Sequence, residues 1–536
     1  MRLRSITIGL VALAAFACAR GVGQAVPGGP SVASLVAPPR TVGFFAPDLE
    51  RSPGLHDRLG APRLRTRTIG RCDPATKGAG KARFTLAHFN DLQARYSDRL
   101  EGKSRYAYIA GYLEQLQRDV PETIVLDAGD DYEKGSVAEL RSGGETTRRM
   151  IQALPIDVRT LGNHDFAYGA EAVLRDVSLS AHPVLAANVT LARLGDNEQP
   201  LGRFVRIDVG CVRVGVIGLV TQNYGADDRP TSTAFDTVFE QSTSYAKILE
   251  REVREHRDEV DVLVALTHLG LWEDTALAMS PSAKGLDLVI GAHTEDLLER
   301  PLSATRADGS RTWIMQAGHY GRTLGRADLV VDLDKSRVSF ERYAIVKVDA
   351  SLPVAEDVAR LAERLEGEAS PDARVPFAST CREVRAGREM TELVARAVAS
   401  EWGAEALLLG RDVFWSGLPK GPVTLQRMYD SVLVQRQPSG TSGFTSLFLV
   451  DVTGAELMTL RAHMQSPLHD MLVPAKLEPK RNYKLAIEKR ALTYPKVIFG
   501  GEVKPLRVAD ARLGGELIDV LEAYGRSRAA SGESLD

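Results

Sequence analysis

The sequence predicts an α/β layered domain followed by a smaller α+β domain, and three observations lead to this prediction. The chain has 536 residues and a 44% hydrophobic composition, enough to fill more than one core. From Arg83 onward, short apolar runs alternate with amphipathic stretches, as buried strands alternate with helices. Short polar segments follow several of these runs, where the loops of an open sheet carry function.

The overall charge excludes one class of function. The formal net charge is -3, and 67 basic residues are interspersed with 70 acidic ones. A nucleic-acid-binding surface needs a concentration of basic residues, which this chain lacks. We therefore expect a small-molecule partner and no nucleic acid polymer.

Residues 1–18 are typical of a bacterial export signal. Arg2 and Arg4 precede an apolar stretch, residues 6–16, that is too short to span a bilayer. The small residues before Cys18 resemble a lipobox, in which that cysteine is lipidated and anchors the chain to a membrane. The residues Ala15-Phe16-Ala17 also fit an Ala-x-Ala cleavage site. We expect a periplasmic or outer-membrane lipoprotein, with simple secretion as the alternative.

Residues 19–82 are expected to form a flexible linker with little order. This segment is rich in Pro, Gly, Ala and Arg and shows no helical or strand periodicity. Cys72, Cys211 and Cys381 remain after lipidation and allow one disulfide at most. Cys211 adjoins the apolar run 212–220 and is interpreted as a small buried residue.

The elements of the first domain, residues 83–350, follow from the apolar runs. Strands are predicted over 84–89, 123–126, 158–161, 184–187, 212–219, 262–266, 288–290 and 313–315, with helices over 106–116, 145–154 and 245–256. Residues 351–374 contain an amphipathic run, 354–365, and are expected to form a connecting helix. The second domain, residues 375–527, mixes a helix over 391–402 with a strand over 447–452, and residues 528–536 are a tail.

Five polar segments stand where apolar runs of the first domain stop. They are Asp91-Leu92-Gln93, Gly129-Asp130, Gly162-Asn163-His164-Asp165, Thr267-His268 and Gly291-Ala292-His293-Thr294-Glu295. Together they supply carboxylates, an amide and imidazoles in the order that a two-metal phosphoester hydrolase needs. A single such segment would be weak evidence, whereas five in order indicate a site.

The charge of a phosphate ester explains why these side chains are needed. Its anionic oxygens repel an incoming hydroxide, and two divalent cations about 3.5 to 4 Å apart neutralise them and lower the pKa of a bridging water. Asp130 is the candidate bridging ligand, while Asp127 is expected to hydrogen-bond at the strand end and Asp131 to lie at the surface. Asn163, His268 and His293 would complete one metal site, and Asp91, Gln93 and Glu295 the other. His164 would act near the leaving oxygen as a general acid or charge stabiliser.

These segments resemble those of the calcineurin-like metallophosphoesterases, specifically the bacterial 5'-nucleotidase and UDP-sugar hydrolase family. The resemblance covers roughly Phe84 to Asp334 clearly and the rest faintly. It implies a four-layered α/β/β/α sandwich followed by a 5'-nucleotidase C-terminal domain that binds substrate. It also implies hydrolysis of phosphate esters of nucleotides and related compounds with two divalent metal ions.

Three residues depart from the family pattern. Gln93 replaces the histidine of the first motif, and Glu295 stands third in the last motif, where histidine or glutamine is usual. A site with carboxylate and amide oxygens favours manganese, magnesium or iron over zinc. Ala167 stands where the family has an aspartate that orients the imidazole of His164, so turnover is expected to be slower unless another carboxylate substitutes.

The second domain resembles the family less. Arg411, Phe414 and Trp415 stand near the positions where the family binds substrate, and they could contact a phosphate or a ring. Ordinary packing is the alternative for all three. The family's glycine-rich segments are replaced in this domain.

Two classes of function follow from these residues. The first is an envelope phosphomonoesterase that acts on nucleotides or related esters. The second is a lipoprotein that keeps the metal ligands but binds a ligand or partner with little or no turnover, an alternative motivated by Gln93, Ala167 and the second domain. A hydrolase of sulfur substrates is a weaker option within the enzymes.

Overall fold

The computed structural model describes residues 67–73, 80–189, 201–221, 244–433, 445–493, 498–499 and 511–536. The predicted export signal and Cys18 lie outside these residues. Among the described helices, none combines the length and the apolar composition that a membrane span requires.

The described part of the chain contains 22 strands and 12 α-helices longer than four residues. The strands are β1 (Arg67–Ile69), β2 (Lys81–Phe89), β3 (Arg99–Leu100), β4 (Lys103–Ser104), β5 (Thr123–Asp127), β6 (Val158–Thr160), β7 (Val184–Leu185), β8 (Phe204–Val209), β9 (Val212–Val220), β10 (Val262–His268), β11 (Leu288–Ile290), β12 (Leu302–Thr305), β13 (Arg311–Met315), β14 (Thr323–Asp332), β15 (Arg337–Lys347), β16 (Pro376–Thr380), β17 (Ala406–Gly410), β18 (Gly421–Thr424), β19 (Ser446–Thr453), β20 (His469–Leu472), β21 (Asn482–Glu488) and β22 (Arg512–Glu516). The helices are α1 (Arg105–Asp119), α2 (Val137–Ser142), α3 (Glu145–Ile151), α4 (Ala170–Leu179), α5 (Tyr245–His256), α6 (Leu271–Met279), α7 (Glu356–Ala369), α8 (Arg388–Trp402), α9 (Leu425–Ser431), α10 (Gly454–His463), α11 (Lys489–Thr493) and α12 (Leu517–Ala530).

Two large sheets form the centre of the first domain. One has the strand order β15-β14-β2-β5-β6-β7, and its strands β2, β5, β6 and β7 are parallel. The other has the order β1-β8-β9-β10-β11-β13-β12, and its strands β9, β10, β11 and β13 are parallel. The carboxyl ends of the parallel strands in each sheet therefore meet at one edge of that sheet.

The two sheets pack face to face between two layers of helices. Leu86 of β2 and Val264 of β10 belong to the apolar core between the sheets, and the alternation of side chains along a strand turns their neighbours outward. Phe89 accordingly packs with helices α1 and α7, and Leu263 packs with α5 and α6. The predicted four-layered α/β/β/α sandwich is confirmed. Full burial of an aliphatic side chain in these layers contributes about 1.5 to 3 kcal/mol.

The end of the predicted linker is ordered, so the expectation of little order is wrong for that part. Arg67–Ile69 forms β1 and pairs in parallel with β8. A disulfide joins Cys72 to Cys211 across 139 residues. Cys211 is therefore a half-cystine and not simply a small buried residue.

The second unit is built on a five-stranded sheet of order β20-β17-β21-β19-β22. Leu407 and Leu409 pack on one face with α8 and α12, while Leu408 belongs to the core on the other face. The predicted tail packs onto this unit. Leu535 is fully buried, and its N–H donates to the carbonyl oxygen of Ser379 (2.9 Å).

Contacts between the two units fix the second against the loops of the first. The backbone N–H of Val137 donates to Gln426 Oε1 (3.1 Å), and Gln426 Nε2 donates to the carbonyl oxygen of Gly135 (3.3 Å). Val137 itself belongs to the core of the second unit. Arg95 Nη1 lies 3.5 Å from Asp430 Oδ1. The loop after β5 therefore contacts the second unit directly.

Candidate metal centre

The strand ends of both sheets bring the five polar segments together. Asp91 follows β2, Asp130 follows β5, Asn163 follows β6, His268 ends β10 and His293 follows β11. The backbone N–H of Asp91 donates to the carbonyl oxygen of Gly129 (2.9 Å), and that of His293 donates to Asp91 Oδ2 (3.2 Å). Segments up to 202 residues apart thus line one crevice.

The backbone of this crevice is strained. Asp91, Gln93, Asp130, His293 and Glu295 all have positive φ, between 46° and 77°. Residues with a Cβ adopt this left-handed region at a cost of about 1 to 3 kcal/mol, and such residues cluster at functional sites. The surrounding layers must therefore stabilise these loops in this conformation.

Glycine is needed where two of the loops meet. A Cβ on Gly162 would lie 2.0 Å from Asp130 Oδ1 and 2.6 Å from the Asp130 nitrogen. The absence of a side chain allows the loop after β6 to contact the loop after β5.

Asp130, His268 and His293 form the centre of the site. Their ligand atoms all lie within 4.8 Å of one another, and His268 Nε2 is 3.1 Å from Asp130 Oδ2. His293 Nδ1 lies 2.8 Å from Asn163 Oδ1. His268 Nδ1 donates to the carbonyl oxygen of Ala128 (2.8 Å), so Nε2 is left as its ligand atom. These atoms are of the kinds that bind divalent cations in proteins, which makes the cluster a candidate metal site.

Charges in the site displace several pKa values. Burial lowers the pKa of His293 to about 4, so this ring is neutral at pH 7. Burial alone would raise the pKa of Asp130, but the nearby His268 and His164 hold it well below its usual range. Burial opposes the charge of His268, yet the neighbouring Asp130 carboxylate raises its pKa. Burial raises the pKa of Asp91 to about 8.

The remaining predicted ligands lie beside this centre. Gln93 Nε2 donates to Glu295 Oε1 (3.1 Å), and Glu295 Oε2 lies 3.3 Å from His319 Nδ1. Asp91 Oδ1 and Gln93 Oε1 are buried and have no hydrogen-bond partner among the described residues. Orphaned oxygen atoms of this kind are costly unless a cation or water binds them, so the donor set fits a metal ion.

His164 is held by a carboxylate that the sequence analysis did not single out. His164 Nδ1 lies 2.5 Å from Glu133 Oε2, and Nε2 lies 4.0 Å from Asp130 Oδ2. Ala167, at the position of the family's orienting aspartate, only donates its N–H to the His164 carbonyl oxygen (3.0 Å). Glu133 stands three residues after Asp130 in the same loop, which is the one sequence signal that could have drawn attention to it.

The carboxylate of Asp165 joins the loop after β5 to the loop after β6. Its carboxylate accepts the backbone N–H groups of Asp130 (3.1 Å), Asp131 (2.8 Å) and Gly162 (2.6 Å). Asp127 accepts the Gly129 N–H (3.1 Å), as expected of a residue at the strand end. Asp131 is fully buried and lies 3.5 Å from Arg159, so its interpretation as a surface residue is wrong.

The three substrate-binding candidates of the second unit lie in different surroundings. Phe414 is buried in the core of the unit. Arg411 donates to the carbonyl oxygen of Pro467. Trp415 is 39% exposed and stacks on Tyr320 of the first domain, with ring centroids 5.8 Å apart and an interplanar angle of 16°. Of these three, Trp415 is the one whose ring stacks on an aromatic residue of the first domain.

Two positively charged side chains lie beside the rings of Tyr320 and Trp415. The Arg95 guanidinium is 4.6 Å from the centroid of the Tyr320 ring, and Lys134 Nζ is 5.9 Å from that of Trp415. Both side chains come from loops that also carry predicted ligands or their neighbours. Arg95 is buried and its guanidinium also lies near Asp98 and Asp430, so Lys134 is the cation of this pair without a carboxylate partner among the described ion pairs. An aromatic pair with a nearby ammonium group is suited to an anionic ligand that carries a ring.

Known proteins share this architecture. Residues 84–295 match the family model "Calcineurin-like phosphoesterase". The trifunctional nucleotide phosphoesterase protein YfkN of Bacillus subtilis (strain 168) is 28% identical over 300 residues, 48% of this chain and 19% of that protein. The 5'-nucleotidase of Homo sapiens is 26% identical over 302 residues, 51% of each chain.

A solved structure extends the similarity beyond the matched region. That of a 5'-nucleotidase precursor from Thermus thermophilus has a TM-score of 0.62 and 17% identity, and the alignment covers 83% of this chain and 96% of that one. The similarity of fold therefore includes the second unit. The chain spans about half the length, or less, of the curated relatives named above.

Proposed function

We propose that this chain, whose residues 84–295 form a calcineurin-like phosphoesterase domain, is a dinuclear metal-dependent phosphomonoesterase of the 5'-nucleotidase type. The observation that carries the proposal is the cluster of Asp130, His268 and His293 with Asn163 beside it. These four side chains come from four different strand ends, and ordinary packing gives no reason for them to converge. The names of the relatives support nucleotides or related phosphate esters as substrates.

The residues divide into two sets of metal ligands that share Asp130. Asn163, His268 and His293 would hold one divalent cation, and Asp91, Gln93 and Glu295 the other. The cations would neutralise the phosphate oxygens and lower the pKa of the attacking water. The oxygen-rich second set favours manganese, magnesium or iron over zinc.

The protein side chains supply orientation and a proton. His164 directs Nε2 toward the Asp130 side of the crevice. With hydrogens on both ring nitrogens, it would donate the Nε2 proton to the leaving oxygen and keep the Nδ1 hydrogen on Glu133. Trp415 offers a ring face on which a nucleobase could stack. Lys134 Nζ lies 5.9 Å from the centroid of this ring, and its charge also acts on Asp130. Phe414 and Arg411 are better explained by packing within the second unit.

We propose that the enzyme acts outside the cytoplasm. The export signal and the lipobox-like Cys18 support this location. The disulfide between Cys72 and Cys211 also supports it, because disulfides persist in oxidising compartments. A lipid anchor on Cys18 would be the contact with the membrane.

One of the three arguments for the binding-protein alternative is weakened. That argument was that Ala167 leaves His164 without the family's orienting aspartate. Glu133 contacts the same imidazole and can take the role of that aspartate. Gln93 and the altered second unit remain as arguments for that alternative.

Metal content and turnover test the proposal together. The purified mature chain would be analysed for bound metals and assayed on p-nitrophenyl phosphate and a nucleotide panel with added Mn²⁺. His293→Ala and Asn163→Ala are expected to lower kcat/KM by more than about 100-fold, since each removes a ligand. His463→Ala, at an exposed histidine whose Nδ1 contacts only its own helix, is the matched control and should change little. An inert wild type with Mn²⁺ bound would favour the binding protein.

A further inference from the structure

We propose that Glu133 is the positioning residue that orients His164 for catalysis, an inference that rests on the proposed function. The contact between Glu133 Oε2 and His164 Nδ1 is 2.5 Å long. Both side chains are buried, and Glu133 is only 1% exposed. A carboxylate at one imidazole nitrogen fixes the tautomer and the direction of the ring.

Glu133 is itself held firmly. Its backbone N–H donates to Glu139 Oε1 (2.7 Å), and Glu139 is fully buried at the start of α2. Glu133 and the following Lys134 have φ values of 70° and 68°, both in the left-handed region. Two successive strained residues outside glycine are costly, and the loop keeps them where their side chains face the site.

The geometry assigns distinct tasks to the two ring nitrogens of His164. When Nδ1 donates its hydrogen to Glu133, Nε2 becomes the nitrogen that faces the metal centre, 4.0 Å from Asp130 Oδ2. His164 also donates its backbone N–H to Asp130 Oδ1 (2.8 Å), which fixes the base of the side chain. The ring is thus held at Nδ1, the backbone of the same residue is held by Asp130, and Nε2 is left toward the metal centre.

A double-mutant cycle separates positioning from a merely structural role. Wild type, Glu133→Ala, His164→Ala and the double variant would be loaded with Mn²⁺ and assayed on p-nitrophenyl phosphate and glycerol phosphate. We expect Glu133→Ala to lower kcat by about 10- to 100-fold with little change in KM or bound metal. In the His164→Ala background it should have no further effect, because its partner is gone.

A conservative variant and a control sharpen this cycle. Glu133→Gln keeps an acceptor for the Nδ1 hydrogen and should retain more activity than Glu133→Ala. Asp274→Asn changes another buried carboxyl near the site, one whose pKa responds to the charge of His268, so its effect should multiply with that of His164→Ala. Equal loss from Glu133→Ala in both backgrounds, or loss of bound metal with it, would overturn the proposal.

The tautomer can be read without any turnover. Long-range ¹H–¹⁵N spectra of ¹⁵N-histidine-labelled full chain should show His164 protonated at Nδ1 in the wild type and a tautomer mixture in Glu133→Ala. If the wild type is inert but its His164 is protonated at Nδ1, and Glu133→Ala gives the tautomer mixture, the phosphomonoesterase proposal fails while the orienting contact stands. An unchanged ring signal in Glu133→Ala would refute the orienting contact itself.

Discussion

At the scale of single residues, the hydrogen bonds made by Nδ1 of His268 and His164 determine which ring nitrogen faces the site. His268 gives Nδ1 to the carbonyl oxygen of Ala128, and His164 gives Nδ1 to Glu133. Each ring therefore presents Nε2 to the crevice. His293 is a neutral ring beside Asn163, because burial lowers its pKa to about 4. Fixed tautomers of this kind orient the Nε2 atoms before a metal ion or a substrate arrives.

Metal binding should release protons from Asp91 and His268. Burial raises the pKa of Asp91 to about 8, and Asp130 raises that of His268, so the metal-free chain keeps protons on both at pH 7. A cation must displace them, so Mn²⁺ affinity should rise from pH 6 to 8, by about tenfold per pH unit for each displaced proton. Calorimetry in two buffers with different ionisation enthalpies would count the protons. An affinity independent of pH in this window would contradict the expectation.

At the scale of elements, short buried runs were easy to predict and half-buried ones were not. The predicted runs over 84–89 and 262–266 lie within β2 and β10, which are buried on both faces. Strand β14 alternates buried and half-buried residues and was not predicted, although it is ten residues long. Its pairing with β2 and β15 stabilises it, and that pairing lies outside any local window of sequence.

Asp165 should be essential to the junction between two elements. Its carboxylate accepts three backbone N–H groups from the loops after β5 and β6. In Asp165→Asn, an amide N–H would face these donors, so we expect the free energy of unfolding to fall by about 3 kcal/mol. Chemical denaturation would measure the loss, and bound metal should fall with it. Asp258→Asn at an exposed aspartate is the control, and an equal effect there would refute this role.

At the scale of the whole molecule, buried carboxyls, the disulfide between Cys72 and Cys211 and the contact between units decide stability and access to the site. Burial is the first cause of the raised pKa values of Asp127 (about 6), Asp165 (about 6) and Asp274 (about 7). The disulfide from Cys72 to Cys211 ties the segment after β1 to the turn between β8 and β9. Trp415 of the second unit stacks on Tyr320 of the first domain.

The metal-free chain should therefore become less stable as pH rises from about 4 to 8. The folded pKa values of these carboxyls exceed the ordinary value of 3.8, so the unfolded chain releases protons that the folded chain keeps. Each such carboxyl lowers the free energy of unfolding by up to about 1.4 kcal/mol per pH unit in its own window. Urea denaturation between pH 4 and 8 would measure the slope. A stability that rises over this range would contradict the burial argument.

Loss of the disulfide should destabilise the fold. Cross-linking residues 139 apart restricts the unfolded chain, and the entropy model gives roughly 4 to 5 kcal/mol for a loop of this length. Cys72→Ser and Cys211→Ser should each lower the midpoint of denaturation, and the double variant should match the singles. A double variant much less stable than either single would show that the thiols contribute in another way.

Trp415 should distinguish substrates that carry a ring. Trp415→Ala is expected to raise KM for nucleotides about tenfold, since a stacked aromatic contact contributes about 0.5 to 1.5 kcal/mol. KM for ribose 5-phosphate, which has no base, should stay unchanged, and Trp415→Phe should restore most of the nucleotide affinity. Equal effects on both substrates would place Trp415 in the packing between the units instead.

The sequence by itself determined the α/β class, the order of the buried strands and the placement of Asp91, Asp130, Asn163, His268 and His293 after those strands. These are local properties, because a run of apolar residues and the polar residue that ends it are read within a few positions. Even the departures at Gln93, Glu295 and Ala167 were visible in this way.

Only the tertiary structure decided which carboxylate holds His164, which cysteines pair and which residue of the second unit reaches the site. Glu133 lies 31 positions from His164, Cys72 lies 139 from Cys211, and Tyr320 meets Trp415 across two units. The direction of such side chains depends on left-handed loop residues and on the packing of layers against each other. Neither is encoded in the periodicity of the chain, because both arise from contacts between distant segments.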